Sequence, residues 1–227
     1  MKVVGISDIH GYLPELPKCD VVCICGDIIP LRIQKDFKES WEWLVNDFTK
    51  WCEDLDCNHV IFIAGNHDFV FDKTYSSGFD VGSIWKEHEK IHYLIDDSIK
   101  IGDKIFYGSP WCPNLKNWAF YLDSVMLFDK FNQIKNCDVL LTHCPPKIEQ
   151  VGVVLQNGWN NGRDFGCEEL RLALYDKNIN WILSGHIHSG DHSVTKYYMN
   201  NSYINIVNVS IKDEDYKNIY KPFEFEI

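Results

Sequence analysis

The chain has 227 residues, 45% hydrophobic and 24% charged, which fits one globular domain spanning 1–227 and excludes a disordered or fibrous chain. Lys plus Arg number 22 against 33 Asp plus Glu, a formal charge of −11, so affinity for long nucleic acid through neutralised backbone phosphates is not expected. The opening MKVVGISDIH has a lone Lys2 and too few apolar residues for a signal peptide, no apolar run reaches spanning length, and the nine cysteines lack CxxC spacing. Neither a membrane partner nor a disulfide framework is expected, and reduced, mostly buried thiols place the protein in the cytoplasm.

In chain order, Val3–Ile6 and Val21–Cys25 are short β-branched runs that suit buried strands. Cys23 and Cys25 read as core thiols on opposite faces of the second run. Phe37, Trp41, Leu44, Phe48, Trp51 and Leu55 alternate spacings of four and three, which sets six apolar side chains on one helical face. Val60–Ala64 is a third strand. Residues 98–107 read as two strands around a Gly102-Asp103 turn. Val125, Phe128, Phe131 and Ile134 predict a helix before a fourth core strand, Val139–Leu141, and Leu170 with Leu174 predict a shorter helix before a fifth, Trp181–Leu183. Residues 203–209 and 223–227 supply late strands. Alternating strands and helices imply an α/β core with parallel pairing. The prolines and turn residues between Cys144 and Gly166 mark a long functional loop.

Each of the five core strands runs directly into residues of metal-ligand type: Ser7-Asp8-Ile9-His10, Gly26-Asp27, Gly65-Asn66-His67-Asp68, Thr142-His143 and Gly185-His186-Ile187-His188. The carboxyl ends of parallel strands share one edge, where ligands gather, so residues far apart in sequence converge there. Asp8, Asp27, Asn66, His10, His143, His186 and His188 offer two carboxylates, an amide and four imidazoles. That mixture suits two divalent ions, manganese first, with iron, zinc, cobalt or nickel as the others the set accepts. Asp27, on a central strand, is the carboxylate expected to bridge the two ions.

The five blocks, in this order, resemble the signature of the calcineurin-like metallophosphoesterase superfamily. Gly108-Ser109-Pro110-Trp111, Leu141-Thr142-His143-Cys144-Pro145-Pro146 and Gly166-Cys167-Glu168-Glu169-Leu170 are similar to its MPPED-type branch. The resemblance implies an α/β fold in which two mixed sheets form a β-sandwich flanked by helices on both faces. It implies one metal on Asp8, His10, Asp27 and His188 and a second on Asp27, Asn66, His143 and His186. It further implies that His67 is the acid for the leaving oxygen or a donor to the phosphoryl group, with Asp68 as the carboxylate that orients it. After Asp27 the chain reads Ile28-Ile29-Pro30-Leu31-Arg32, without the Asp-Arg-Gly continuation of the protein phosphatase branch, so no phosphate-binding role passes to Arg32.

The resulting expectation is a dinuclear metal-dependent phosphoesterase, a diesterase before a monoesterase, acting on small nucleotide-like or cyclic nucleotide phosphodiesters. Arg163 and Asn161 are candidate phosphate or substrate donors, and Trp111, Trp118 and Trp159 are candidate stacking surfaces for a base. His59, His88, His92 and His192 match no block and read as surface or capping residues. The rival readings are a nuclease or RNA-processing phosphodiesterase, which needs a local basic groove, and a non-catalytic interaction scaffold on the same fold.

Overall fold

A computed structural model describes residues 1–72, 78, 80–155 and 159–227. Eleven strands are found among them: β1 Lys2–Ile6, β2 Val21–Cys25, β3 His59–Ile63, β4 Ile91–Tyr93, β5 Asp97–Ile101, β6 Lys104–Ser109, β7 Cys137–Thr142, β8 Ile179–Ser184, β9 Thr195–Met199, β10 Ser202–Asn208 and β11 Phe223–Glu226. They form a five-stranded sheet, β11-β1-β2-β3-β4, and a six-stranded sheet, β5-β6-β7-β8-β10-β9. β1 to β4 pair in parallel, as do β6, β7, β8 and β10, while β11, β5 and β9 add antiparallel edges. Every core strand expected from the sequence is present. β4 and β9 were not expected, because neither is a buried apolar run: β4 has three residues and β9 alternates inward and outward at an edge.

The period of two along each strand builds three apolar layers. Val3, Val21, Cys23, Cys25, Ile61 and Ile63 meet Phe106, Val139, Leu141, Leu183 and Val207 between the sheets. Val4, Ile6, Val22, Ile24, Val60 and Phe62 face the other way, onto the first helical layer. Cys23 and Cys25 thus share one face, contrary to the expectation, since residues two apart on a strand point the same way.

That first helical layer is a single run in three parts, α1 Phe37–Trp43, a π-helical stretch Leu44–Phe48 and α2 Thr49–Asp54. Asp36 caps it by accepting the Glu39 N–H. The Thr49 N–H reaches back to the Leu44 carbonyl, and the Thr49 hydroxyl donates to the same oxygen at 2.8 Å, which accounts for the widened turn. Leu44, Phe48 and Cys52 are buried on the sheet.

The second layer is α3 Ser124–Asn132 with α4 Glu168–Ala173. Here the helix was foreseen but not its face. Leu127, Phe131 and Ile134 are buried, whereas Val125 is 73% exposed and Phe128 39%. Successive steps of three drift by about 60° each around a helix, so positions 125, 128 and 131 cannot stay on one side, while the 127-131-134 spacing can.

Candidate metal centre

The carboxyl ends of β1, β2, β3, β7 and β8 lie at one end of the sandwich, and the loops leaving them are tied together by backbone bonds. Asp8 N–H donates to the Gly26 carbonyl at 3.0 Å, His10 N–H to Asp27 at 2.9 Å and Gly185 N–H to His143 at 3.0 Å. Asp8, His10, Asp27 and His186 all have φ between +43° and +68°, a left-handed backbone that is costly for such residues and persists where the surroundings enforce it. Two glycines of the motifs have a steric reason. A Cβ on Gly65 would collide with the Asp27 carboxylate, and one on Gly185 would collide with Ser7 and the Asp8 carboxylate.

Three overlapping groups of donor atoms result, each within 4.8 Å: Asp8, His10 and His188; His10, Asp27 and His67; and Asp8, Asp27 and His143. Asp27 Oδ1 accepts the His67 N–H at 2.8 Å. Its Oδ2 faces three imidazoles, at 3.4 Å from His143, 3.8 Å from His10 and 3.9 Å from His67. His188 Nε2 stands 3.3 Å from Asp8 Oδ1, and Asn66 Oδ1 is 2.9 Å from His143 Nε2. His186 lies outside these groups. Its N–H donates to Asp8 at 3.0 Å, and its ring meets His143 edge-on at 5.1 Å.

The imidazoles are set to present Nε2 inward. His143 Nδ1–H donates to the Cys25 carbonyl at 2.7 Å and His188 Nδ1–H to the Asp213 carbonyl at 3.0 Å, which fixes the tautomer a metal ligand needs. His10 is buried with neither ring nitrogen hydrogen-bonded. A buried imidazole without partners is costly, and a cation beside it supplies the missing interaction, so the residues fit a divalent metal. Burial opposes ionisation of Asp27, but His143, His67 and His10 together hold its carboxyl well below the usual range. Burial likewise opposes Asp8, and His188 with His143 overcomes it. Burial also lowers His10 to about 4 and His186 to about 3. His143 and His188 go the other way: burial pulls them down, but Asp27 and Asp8 respectively raise each to about 9.

Asp68 does not orient His67. Fully buried, it accepts the N–H groups of Ile28 and Ile29 at 2.9 Å and of Gly65 at 2.8 Å, joining the loops after β2 and β3. Burial, then the Asp27 charge, pushes its carboxyl up to about 7 against those amides. Gln34, not Asp68, meets the ring: its Oε1 lies 2.6 Å from His67 Nδ1. On the other flank the His67 ring packs 4.5 Å from Trp118.

Trp111 and Trp118 line one cavity beside the centre. Trp159, Asn161 and Arg163 do not join it. All three are exposed, Trp159 at 79%, and the Arg163 guanidinium lies over Trp159 at 4.0 Å. Residues 156–158 of their loop lie outside the described residues.

The loop after β10 escaped sequence reasoning. A bridge between Ser7 and Ser210 carries it across to β1, and Tyr216 there packs edge-on against His10 at 5.1 Å and His188 at 5.2 Å. Tyr216 has φ +60°, and Asp213 holds the turn by accepting the N–H groups of Asp215 and Lys217. No motif marks this loop; its crowding of Asp213, Glu214 and Asp215 is the only signal, and it reads as solvated charge. His192, read as a surface or capping residue, has its ring 3.1 Å from the His188 carbonyl and stacked on Tyr220.

Among the described residues no helix is long and apolar enough to cross a membrane. Comparison with known proteins agrees with the geometry. A UPF0046 protein of Caenorhabditis elegans is 29% identical over 87% of this chain and 54% of its own length. Metallophosphoesterase domain-containing protein 1 of Homo sapiens is 28% identical over 83% of this chain and 61% of its own. The chain therefore spans little more than half the length of these relatives. The crystal structure of phosphopantetheinyl hydrolase from Mycobacterium tuberculosis shares the fold, with a TM-score of 0.52 at 12% identity, covering 94% of this chain and 90% of that one. The calcineurin-like phosphoesterase family model matches residues 1–190, which include all five motif blocks, and the chain belongs to that family.

Proposed function

We propose that the chain is a metal-dependent phosphoric ester hydrolase acting on small, nucleotide-like phosphodiesters, cyclic nucleotides included, in the cytoplasm. The observation that carries the reading is His10, buried with both ring nitrogens unpartnered among two ionised carboxylates and three further imidazoles. Asp8, His10, Asp27 and His188 would hold one divalent ion, and Asp27, Asn66, His143 and His186 a second, with manganese first among the candidates. Such ions supply Lewis acidity that activates a water and neutralises charge developing on the phosphoryl oxygens.

The protein's own residues do the rest. Asp27 Oδ1 accepts the His67 N–H, which orients the carboxylate with Oδ2 toward the His143 and His67 rings. Gln34 holds His67 Nδ1–H, which leaves Nε2 as the atom that, in the imidazolium form, would carry the proton given to the leaving oxygen. A net charge of −11 favours compact substrates over polyanions, and nine scattered thiols, eight of them buried, support a reducing compartment.

The test is a steady-state comparison of cyclic nucleotides, linear diesters, phosphomonoesters and oligonucleotides with each divalent ion at matched salt. The highest kcat/KM is expected on cyclic or small linear diesters. A maximum on oligonucleotides would make the protein a nuclease. Turnover of none of them by a metal-loaded protein would make it a scaffold.

A further inference from the structure

Of the nine cysteines Cys57 alone is not buried, and the backbone sets a second thiol, Cys19, opposite it. Val21 pairs with His59 where β2 and β3 begin. Backbone bonds carry that register back by two residues: the His59 N–H donates to the Asp20 carbonyl at 3.1 Å, and the Cys19 N–H to the Asp56 carbonyl at 3.2 Å. In a parallel ladder this pattern makes Cys19 and Cys57 facing residues. Such residues stand about 5 Å apart, within the roughly 4.4–6.8 Å between Cα atoms that a disulfide spans. Both side chains also pack into one apolar cluster, the one beneath the first helical layer.

The two thiols are not equivalent. Lys90 Nζ donates to the Glu53 and Leu55 carbonyls at 2.8 and 2.7 Å. The Cys57 N–H reaches the same Leu55 oxygen at 2.9 Å, so an ammonium stands beside Cys57. A hydrogen bond with the Cys19 thiol lowers Cys57 below the ordinary thiol value; burial and Asp56 oppose this and Lys90 adds to it. Cys19, 7% exposed, moves the other way, raised by its bond to Cys57 and by burial. A part-exposed thiol beside a cation is the nucleophile toward a dissolved reagent, and a buried thiol against it is placed to resolve the product. The pair precedes β2 and β3, whereas Asp27 and Asn66 follow those strands, so the metal centre lies at the other end of the sheet.

We infer that Cys19 and Cys57 form a thiol–disulfide couple, a modification site whose oxidant is a small-molecule disulfide of the glutathione class. The Cys57 thiolate attacks one sulfur of glutathione disulfide, breaking its S–S bond and releasing one glutathione thiolate. Cys19, giving up its proton, then attacks Cys57 Sγ and expels the second glutathione. Two protein thiols are oxidised, one glutathione disulfide is reduced to two glutathiones, and the two protons pass to the departing thiolates. The test incubates the folded, metal-loaded chain with excess glutathione disulfide, denatures it in an alkylating reagent and maps its peptides by mass spectrometry. A Cys19–Cys57 disulfide is expected, reversed by dithiothreitol, with the other seven thiols alkylated. Cys19→Ser should instead retain glutathione on Cys57, and Cys57→Ser should leave Cys19 a free thiol. Cys57 remaining a free thiol, glutathione held on Cys57 of the wild type, or disulfides formed equally by other pairs would overturn the inference. Circular dichroism identifies a variant that fails to fold, and the wild-type peptide map then decides.

Discussion

Two sets of side chains differ in how the backbone holds them. Asp8, His10 and Asp27 follow directly from buried strands, have left-handed backbone enforced by cross-loop bonds, and are themselves buried. Trp159, Asn161 and Arg163 sit on a long exposed loop, where Trp159 and Arg163 pack on each other. The first set is positioned before any ligand arrives, so little ordering entropy is left to lose on binding. The second would have to be ordered by the ligand, which offsets what its contacts contribute. Chemistry in this molecule is therefore expected to depend on the strand-end residues and to be nearly indifferent to the loop.

The largest effect is expected from Asp27→Asn, since Oδ2 faces His143, His10 and His67 at once. Metal content should fall at both sites, and turnover by about three orders of magnitude, as read by elemental analysis and steady-state kinetics. Retention of two ions and near-normal turnover in this variant would break the contrast between the two sets. Next comes His67→Ala, which should keep metal while lowering turnover by roughly two to four orders of magnitude on esters with poor leaving groups. Activated aryl esters should suffer less, because their leaving oxygen needs no proton; equal rates on both would remove His67 from the reaction. Gln34→Ala should reproduce the same leaving-group dependence at about a tenfold level, because the ring loses its Nδ1 partner but keeps its packing on Trp118.

Asp68→Ala sharpens the contrast from the side of stability. It strands three buried N–H groups on two loops and should cost about 3 kcal/mol or more, measured from denaturant midpoints. The smallest effect is expected from Arg163→Ala, within about threefold on kcat/KM. A loss of a hundredfold would mean that the loop closes over the substrate and that the division drawn between the two sets is wrong.

The same contrast explains what was legible in the sequence. Asp8, Asp27 and His143 could be read because each follows a β-branched run whose direction is fixed by parallel pairing, so convergence follows from topology. Asp68 could be found but not interpreted, since adjacency to His67 says nothing of where its carboxylate bonds; three backbone amides compete for it and win. Gln34 and Tyr216 were invisible, because both act through tertiary contacts across loops with no spacing rule. The face of α3 was misread for a different reason, a spacing of three taken as a helical stripe. Arg163 and Trp159 were chosen for residue type alone, and residue type does not bring a loop to a cleft.

The central claim, that these buried residues exist to hold two cations bridged by Asp27, is tested most directly on the purified wild-type chain. Elemental analysis would be combined with anomalous scattering from crystals grown with manganese. Two ions per chain flanking Asp27, one toward Asp8, His10 and His188 and one toward Asn66, His143 and His186, is the predicted result. One ion or none in a metal-replete preparation, or ions bound away from Asp8, Asp27 and His186, would contradict it.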